Sequence, residues 1–533
     1  MDDGSELLEG PGGAVAPAAS DQRLIVGQTG QNVLGLVIGA AATFAAQVIM
    51  SRRLGARSFG VVTATTQFAF IAAAATRFGM DVANVRLVAI LIGRGEGGRV
   101  RSLVRRSVVI AAAVSVPAAA AVYLAAPWLA ERFSGLPGEA VPAFRWAAAT
   151  IPLAALAFTW MGATRGMKVM RYTLFAQWIA QPIGWVVLTV GLWAIVRATA
   201  AGAGAAFMAS WGAAMAIAGY GWLHERRKLP GEVTGEGIAE EHPRALLRFG
   251  ALRAPGTLFA QLIFFTDFYV LSAMYARLGR EGATQVGIYG GVLRAGQSLF
   301  LFLTSVSLTF SPFVADLHHR GETERLDALY KQVTRWALAA TIPVLLVLAV
   351  LPGPVLRVFG DEFGGGDEAL RILIVGMIVP VMVGTVGFIL IMAGRTGWDL
   401  VVYLGGVVID VGLALALARP EMLGIRGAAI AQACTLTVSA LARLFLVRRF
   451  LGIWPFDAAY ARLLLPAALG AAAMFGAHVV LPDAKWLINL LASAAAGTLV
   501  YGVAMLLAGL PANERTKALS VLGRITGRGR VSG

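Results

Sequence analysis

Cysteine, histidine and charged residues are all scarce in this sequence of 533 residues. The single cysteine, Cys434, excludes a disulfide bond within the chain. The five histidines are scattered, and none stands with cysteines or carboxylates at the spacing of a metal site. Charged residues make up 14% of the chain, whereas a soluble domain has about 25%. We therefore expect no metal site, and a soluble multidomain protein is excluded.

Nucleotide-binding motifs offer no better evidence for an enzyme. Residues 93–98 match the pattern G-x-G-x-x-G, but they lie in a basic loop after an apolar helix and not between a strand and a helix. The chain has no P-loop lysine motif, which excludes ATP as a directly used fuel. We expect a protein that is not an enzyme and that carries no cofactor.

Long apolar runs are what the sequence has in abundance. Hydrophobic residues make up 58% of the chain, and the mean hydropathy is +0.72. A helix needs about 20 apolar residues to cross a membrane, and runs of that length recur from end to end. They lack the alternation of a transmembrane β-strand. The sequence predicts an all-α integral membrane protein of about fourteen helices, at residues 28–50, 59–78, 107–129, 143–163, 174–196, 205–223, 249–275, 286–314, 336–359, 369–393, 399–418, 427–447, 463–481 and 486–508.

The distribution of the basic residues that give the net charge of +15 is explained by membrane topology. Basic residues form short clusters between apolar runs, not one stripe, so a nucleic-acid partner is not expected. The tails and the connections that follow even-numbered helices are the more basic ones, which predicts a multi-pass protein with both termini in the cytoplasm. The basic group Arg52, Arg53 and Arg57 after the first helix is the exception.

Local repeats divide the chain into two lobes. The tripeptide Arg53-Leu54-Gly55 returns 224 residues later as residues 277–279. Pro117 and Phe133 return at a similar shift as Pro343 and Phe359, as does Pro152 as Pro380. Six helices per repeat predict a pseudo-twofold axis along the membrane normal and a site between the lobes. The predicted parts are a disordered tail (1–20), an N-lobe (21–223), a cytoplasmic linker (224–248), a C-lobe (249–450), two further helices (451–510) and a basic cytoplasmic tail (511–533).

Charged and polar residues within the predicted helices are the candidate site. A charge near the bilayer centre costs about 2.5–3.5 kcal/mol on insertion scales, so such residues usually face a partner or an aqueous cavity. Helical spacing places Arg253 on one face with Gln261, and Arg294 on one face with Gln297. Asn32 lies on a polar stripe of the first helix. For the uncharged residues, holding helices together is the alternative role.

The charges have different predicted partners. Asp267 and Arg294 lie at similar distances from the predicted connection between their helices, so we expect them to form an ion pair. Arg253 either lines the cavity or extends to the headgroups. Asp410 has no basic residue within one turn and either stays neutral or binds a cation or a proton. We also expect an ion pair between Arg77 and Asp81, and Arg443 to reach the headgroups near Arg448 and Arg449.

Three groups of turn and packing residues form further motifs: Arg53-Leu54-Gly55 with Phe59-Gly60; Ser311-Pro312-Phe313 with Gly321, Glu324-Arg325-Leu326 and Leu329-Tyr330; and Gly424-Ile425-Arg426-Gly427-Ala428-Ala429-Ile430-Ala431. Together they resemble the polysaccharide-biosynthesis flippases, which implies a place in a bacterial cytoplasmic membrane. This family belongs to a superfamily that also contains multidrug exporters and lipid II flippases, built as two six-helix lobes around a cavity that alternates between the two membrane sides. At the position of Asp410 members of the family commonly carry Asn.

The resemblance implies movement of an undecaprenyl-diphosphate-linked oligosaccharide to the outer leaflet, driven by a cation gradient. Lipopolysaccharide or exopolysaccharide assembly would be the process, with a polysaccharide polymerase and glycosyltransferases as partners beside the bilayer. Arg253 and Arg294 are reasonable diphosphate anchors because arginine offers bidentate contacts. Asp267 and Asp410 would then serve coupling. A small-molecule exporter, a lipid II flippase or a noncatalytic scaffold of an assembly complex are the alternatives.

Overall fold

The computed structural model describes residues 19–230, 243–300, 303, 314, 317–318, 320–481 and 485–509. The predicted tails except Ala19 and Ser20, residues 231–242 of the predicted linker and the motif Ser311-Pro312-Phe313 lie outside these residues. Ala19 and Ser20, which we predicted to belong to the N-terminal tail, are already helical. Helix also covers residues 224–225 and 243–248, at the two ends of the predicted linker.

All regular elements of the described residues are helical, as the apolar runs predict. The N-terminal part contains α1 (Ala19–Thr76), α2 (Met80–Gly93), α3 (Val100–Phe133), α4 (Pro137–Gly166), α5 (Arg171–Thr173), α6 (Gln181–Ile195) and α7 (Ala200–Glu225). After the linker follow α8 (Pro243–Leu262), α9 (Thr266–Tyr275), α10 (Gly279–Gln297), α11 (Thr323–Val350), α12 (Pro352–Arg357), α13 (Asp367–Val383), α14 (Val386–Met392), α15 (Thr396–Leu417), α16 (Ile425–Leu451), α17 (Ala458–Ala461), α18 (Leu464–Val480) and α19 (Trp486–Ala504).

Ten helices of the described residues are long and apolar enough to cross a membrane, or up to twelve if each of two bent pairs is one span. The bent pairs lie at α8–α9, with an angle of 62°, and at α13–α14, with an angle of 43°. The all-α membrane architecture is thereby confirmed, while the count of fourteen stays a prediction. Helix α1 joins two helices at Gly55, whose φ of 74° interrupts the helical backbone.

The repeated residues adopt matching local conformations in the two halves. Gly55 and Gly279 both have positive φ, 74° and 58°, which favours glycine at both turns. Pro117 and Pro343 both lie inside long helices, and so do Pro152 and Pro380. The turn at Gly279 thus starts α10 seven residues earlier than the sequence suggested.

Helix packing brings α1 into contact with both halves of the chain. In the N-lobe, α4 packs against α3 and α7, and α1 packs against α4. In the C-lobe, α16 packs against α13 and α15, while α8 and α9 contact α15. Helix α1 also lies along α10, so the two lobes meet at these two helices. The pair α18 and α19 packs on α11 at the edge of the C-lobe.

Candidate functional site: two buried carboxyl groups at a helix break

The break between α8 and α9 positions Asp267 in the interior of the C-lobe. Helix α8 ends at Leu262, the chain turns through residues 263–265, and α9 begins at Thr266. Such a break leaves backbone N–H groups at the new helix start without partners in their own helix. The Asp267 N–H donates to Asp410 Oδ2 at 2.8 Å, so a side chain from α15 satisfies one of them. Asp267 and Asp410 are both fully buried.

Two hydroxyl groups complete the contacts of the carboxyl groups. The Thr435 hydroxyl on α16 donates to Asp410 Oδ1 at 3.3 Å, and the Tyr289 hydroxyl on α10 donates to Asp267 Oδ2. Asp267 Oδ1 is buried without a hydrogen-bond partner in the described part of the chain. Among those residues neither carboxyl group forms an ion pair with an arginine or a lysine. Two acids therefore lie side by side with no built-in positive charge.

Gln432 adds a further oxygen beside the break. Its Nε2 donates to the carbonyl oxygen of Ile263 at 3.2 Å, and its buried Oε1 has no partner among the described residues. Carboxylate, amide and hydroxyl oxygens are hard ligands that suit a proton or a hard cation. The structure describes no group of three or more His, Cys, Asp or Glu side chains that could hold a metal ion. Because the described residues offer only two acids as charged ligands, the arrangement suits reversible binding of a proton or a cation.

The predicted ion pair between Asp267 and Arg294 is wrong. It assumed that both residues lie equally far from the connection between their helices. Because α10 begins at Gly279, Arg294 lies about 22 Å along that helix, whereas Asp267 lies about 12 Å from the end of α9 at Tyr275. Tyr289 lies about 15 Å along α10 and takes the place that we assigned to Arg294.

Arg294 lies instead at the boundary between the lobes. Its Nη1 donates to Gln297 Oε1 at 3.4 Å, and its guanidinium lies 5.6 Å from the ring centre of Phe265. With the amide oxygen of Gln67 turned toward it, Nη1 and Nη2 also donate to this α1 side chain at 3.2 and 2.5 Å. Its Nε is buried without a partner among the described residues. A cation with spare donors therefore lies between α1 and α10.

Two other predicted site residues, Arg253 and Gln261, do not hydrogen-bond the carboxyl groups in the described part of the chain. Arg253 is partly exposed and packs beside the turn after α1, where a β-carbon on Gly79 would lie 3.2 Å from the Arg253 β-carbon. Its Nε is buried without a partner in the described residues. Gln261 is partly buried one turn before Phe265. Asn32 lies within helical α1, and its side chain is outside the described part.

Two other charged pairs test the remaining sequence predictions. The predicted pair of Arg77 and Asp81 is confirmed, with 3.5 Å between Nε and Oδ2. Arg443 does not reach the headgroups as predicted, because its Nε donates to Asp399 Oδ1 at 2.9 Å in the interface of α15 and α16. The carboxylate of Asp399 was the missing partner, and it lies 44 residues away in sequence.

A close seam joins the lobes near Gly55. A β-carbon on Gly287 would collide with the carbonyl oxygen of Ala56, and one on Gly60 would lie 3.0 Å from the Gly287 nitrogen. The Ala56 N–H donates to Glu362 Oε1 at 2.6 Å. Arg52 donates to the carbonyl oxygens of residues 357 and 358 at 2.9 and 2.8 Å. Backbone contacts and a carboxylate thus hold the lobes together at this end.

Hydroxyl and amide residues of this site escaped the sequence reasoning. Tyr289, Thr435 and Gln432 are ordinary in helices, and their contacts at this site require four helices, α9, α10, α15 and α16, to meet. One signal was present for Tyr289. The repeated tripeptide that ends at Gly279 would have set the start of α10 and hence the depth of Tyr289.

Comparison with known proteins supports both family and fold. The family described as "Polysaccharide biosynthesis protein" matches residues 26–318, which is more than half of the chain. No curated protein sequence matches. A multidrug resistance MATE family transporter of the MOP superfamily, in an inward-facing conformation, is similar with a TM-score of 0.66 and 17% identity. The match covers 79% of this chain and 98% of that one.

Two further solved structures share the fold. The lipid II flippase MurJ in an inward closed conformation has a TM-score of 0.66 at 13% identity, and the match covers 89% of this chain and 97% of that one. A MOP superfamily transporter from Pyrococcus furiosus has a TM-score of 0.59 at 16% identity, covering 82% and 99%. These likenesses show that this chain shares the fold of the three solved structures.

Proposed function

The chain belongs to the polysaccharide biosynthesis protein family, and on that premise we propose that it flips an undecaprenyl-diphosphate-linked oligosaccharide across the bacterial cytoplasmic membrane. It acts as a transporter by alternating access and not as an enzyme. Both termini lie in the cytoplasm, where glycosyltransferases would supply the substrate. A polysaccharide polymerase on the other side would use it, in lipopolysaccharide or exopolysaccharide assembly.

The position of Arg294 is the observation that carries this proposal. A diphosphate headgroup needs cationic donors in a site that excludes water, and arginine can bind phosphate through two parallel N–H groups. Arg294 lies between the lobes, contacts both through Gln67 and Gln297, and keeps a buried N–H without a partner in the described residues. Arg253, beside the Gly79 turn, would provide a second anchor, and Gln261 and Asn32 the polar lining.

Asp267 and Asp410 would couple transport to a cation. Two buried acids without a basic partner are expensive when both are charged, and a proton or a cation between them removes that cost. The same acids hold α9 to α15 through the hydrogen bond from the Asp267 N–H. Binding or release of a cation would change that contact at the break, and with it the angle between α8 and α9. A ligand shifts a conformational equilibrium only through such a difference between states.

Opening of the seam near Gly55 would complete the cycle. In this structure Ala56, Gly287 and Glu362 join the lobes at the end of the helices where the charge pattern predicts the extracytoplasmic side. The substrate would therefore enter from the cytoplasmic side in this state and leave after the seam has opened.

A small-molecule exporter and a lipid II flippase are the alternatives of the same fold. The MATE likeness favours the first and the MurJ likeness the second, each at the level of fold alone. A cationic drug would meet Arg294 with repulsion, whereas the diphosphate of a lipid-linked glycan would be attracted. This charge favours a lipid-diphosphate substrate over a cationic drug.

The test is leaflet transfer in proteoliposomes that contain the purified full-length protein. An undecaprenyl-diphosphate oligosaccharide with a labelled sugar is placed in both leaflets, and an external enzyme that modifies the sugar reports its arrival outside. We expect transfer to depend on the protein and on an imposed proton or sodium gradient, and to fall at least about tenfold in Arg294→Ala, which removes one charge-assisted phosphate contact. Arg419→Ala, on an exposed arginine at the end of α15, is the matched control.

The outcome decides between the candidates. Absence of leaflet transfer under every ion gradient would overturn the flippase proposal. Transfer of lipid II but not of other lipid-linked glycans would favour the second alternative. Accumulation of a cationic dye, unaffected by Arg294→Ala, would favour the exporter.

A further inference from the structure

A basic and aromatic pocket opens on the N-lobe, away from the boundary between the lobes. It has a volume of about 650 Å³ and lies among α3, α4 and α7. Arg101, Arg105, Arg226 and Arg227 line it, and two tryptophans form part of its wall. No residue of the carboxylate site or of the seam near Gly55 takes part in it. The pocket therefore needs an explanation of its own.

The pocket lies at the level of the membrane surface. Arg101 is the second residue of α3, and Arg226 and Arg227 follow the last residue of α7. Trp160 and Trp222 lie within about two turns of the same ends of their helices, the depth at which tryptophan meets lipid headgroups. On the charge pattern of the sequence this is the cytoplasmic side, where anionic lipids attract basic residues.

Three of the lining arginines, Arg101, Arg226 and Arg227, are not neutralised by the nearest buried acid among the described residues. Glu225 is buried at the end of α7, but Arg171 and Lys228 bind its two oxygens at 2.7 and 2.8 Å. Arg101 is held in place because its Nη2 donates to the carbonyl oxygens of Arg226 and Leu229 at 2.9 and 3.0 Å. Its Nε is buried with no hydrogen-bond partner in the described residues. The pocket thus keeps positive charge and a spare donor.

An apolar wall continues from the arginines toward the membrane interior. Val104, Val108 and Val109 follow Arg101 along α3, about one to two turns deeper. Leu223 and Val109 are 45% and 60% exposed, so the wall is open to lipid. Gly219 keeps space beside Trp160, since a β-carbon there would already lie 3.3 Å from the indole ring. A headgroup site above an acyl-chain groove is the resulting shape.

We propose that this pocket binds the phosphate headgroup of an anionic phospholipid of the cytoplasmic leaflet, with its acyl chains along α3 and α7. Basic pockets between membrane helices on this side have the chemistry for such headgroups. Arginine offers paired donors to phosphate oxygens, and the tryptophans pack on the glycerol region. The site does not depend on the proposed transport substrate.

Native mass spectrometry of the purified full-length protein tests the proposal. Phosphatidylglycerol and phosphatidylcholine with the same acyl chains are titrated in one detergent, and bound lipids are counted. We expect phosphatidylglycerol to bind more tightly. The double variant Arg226→Gln/Arg227→Gln should weaken that binding by about 25-fold, at about fivefold per arginine. Both side chains are exposed, so the variant should fold. Arg94→Gln, an exposed arginine on the same side but outside the pocket, should leave affinity unchanged.

A second variant and two competitors identify the ligand. Gly219→Leu should weaken phosphatidylglycerol binding by filling the space beside Trp160, without any change of charge. Equal binding of the two lipids, or equal loss in Arg94→Gln and in the double variant, would overturn the proposal. Displacement by millimolar inorganic phosphate alone would show an ion site instead. Displacement by undecaprenyl diphosphate at lower concentration than phosphatidylglycerol would assign the pocket to a polyprenyl lipid, which also overturns it.

Discussion

Helix α15 carries two buried acids whose partners differ in kind. Asp399 and Asp410 are eleven residues apart, so about three helical turns place them on one face, toward α16. Asp399 meets Arg443 of α16 at 2.9 Å, and that arginine also lies 4.3 Å from the ring centre of Tyr403. Among the described residues, Asp410 accepts side-chain hydrogen bonds only from the hydroxyl of Thr435 and the N–H of Asp267.

This difference distinguishes Asp399, whose charge is compensated by an arginine, from Asp410, whose charge has no cationic partner among the described residues. The Asp399 carboxylate is neutralised by a residue that cannot leave, so its role is to hold α15 against α16. The pair of Asp410 and Asp267 is neutralised only if a proton or a cation arrives. On the proposed function, one helix face would combine a permanent ion pair with a site whose charge changes during transport.

Removal of Arg443 should have the largest effect. Arg443→Ala leaves Asp399 buried without a cation, which typically costs about 3–5 kcal/mol of folding free energy. Unfolding in mixed micelles of rising SDS content measures it. The double variant Asp399→Asn/Arg443→Gln should recover most of the loss, because no charge stays buried. Equal destabilisation in both variants would show that packing and not charge compensation explains the contact.

Neutralisation of Asp410 should change transport and spare stability. Asp410→Asn keeps an oxygen that accepts from the Asp267 N–H, and its amide N–H can donate to the Thr435 hydroxyl, which then accepts instead of donating. The substitution leaves no buried cation unpaired. We expect folding free energy to change by less than about 1 kcal/mol, while transfer in proteoliposomes falls about tenfold and no longer responds to the ion gradient. The double variant at Asp399 and Arg443 is the matched control and should keep the response.

If transfer by Asp410→Asn still responded to the ion gradient, the coupling role of Asp410 would be contradicted. Asp410 would then be a structural residue, as Asp399 is. The same measurement on Asp267→Asn separates the members of the pair. Coupling through a shared cation requires that either replacement abolishes the response.

Removal of the Tyr289 hydroxyl should have the smallest effect. Tyr289→Phe keeps the ring but frees Asp267 Oδ2, so a cation can use both oxygens. A single hydrogen bond is worth about 0.5–1.5 kcal/mol, and the half-saturating cation concentration should fall about two- to tenfold. Transfer rates across a cation titration measure it. A higher half-saturating concentration would mean that the hydroxyl itself contacts the cation.

The sequence predicted some features of this site and not others. The apolar runs predicted the helices, and the cost of buried charge singled out Asp267, Arg294 and Asp410. The sequence did not predict the partners of these charged residues, because a shift of seven residues at the start of α10 moves a side chain by about 10 Å along the helix axis. Tyr289 and not Arg294 therefore meets Asp267.

The same limit applies to Arg443. Its short distance from the basic end of α16 suggested that it reaches the headgroups. Its partner Asp399 belongs to another helix, and no local pattern joins the two residues. The ion pair of Arg77 and Asp81 was predictable because the two residues are only four positions apart in sequence.

Composition and local spacing by themselves determined that this chain is a helical membrane protein with repeated turns and a few buried charges. These properties follow from hydrophobic length and from backbone preferences, which act over about 20 residues or fewer. Only the tertiary structure decided which charges are compensated. Which charges have a partner depends on the helix breaks at residues 263–265 and 279 and on which helices meet there. In such a buried interface, a polar or charged group without a partner costs folding free energy.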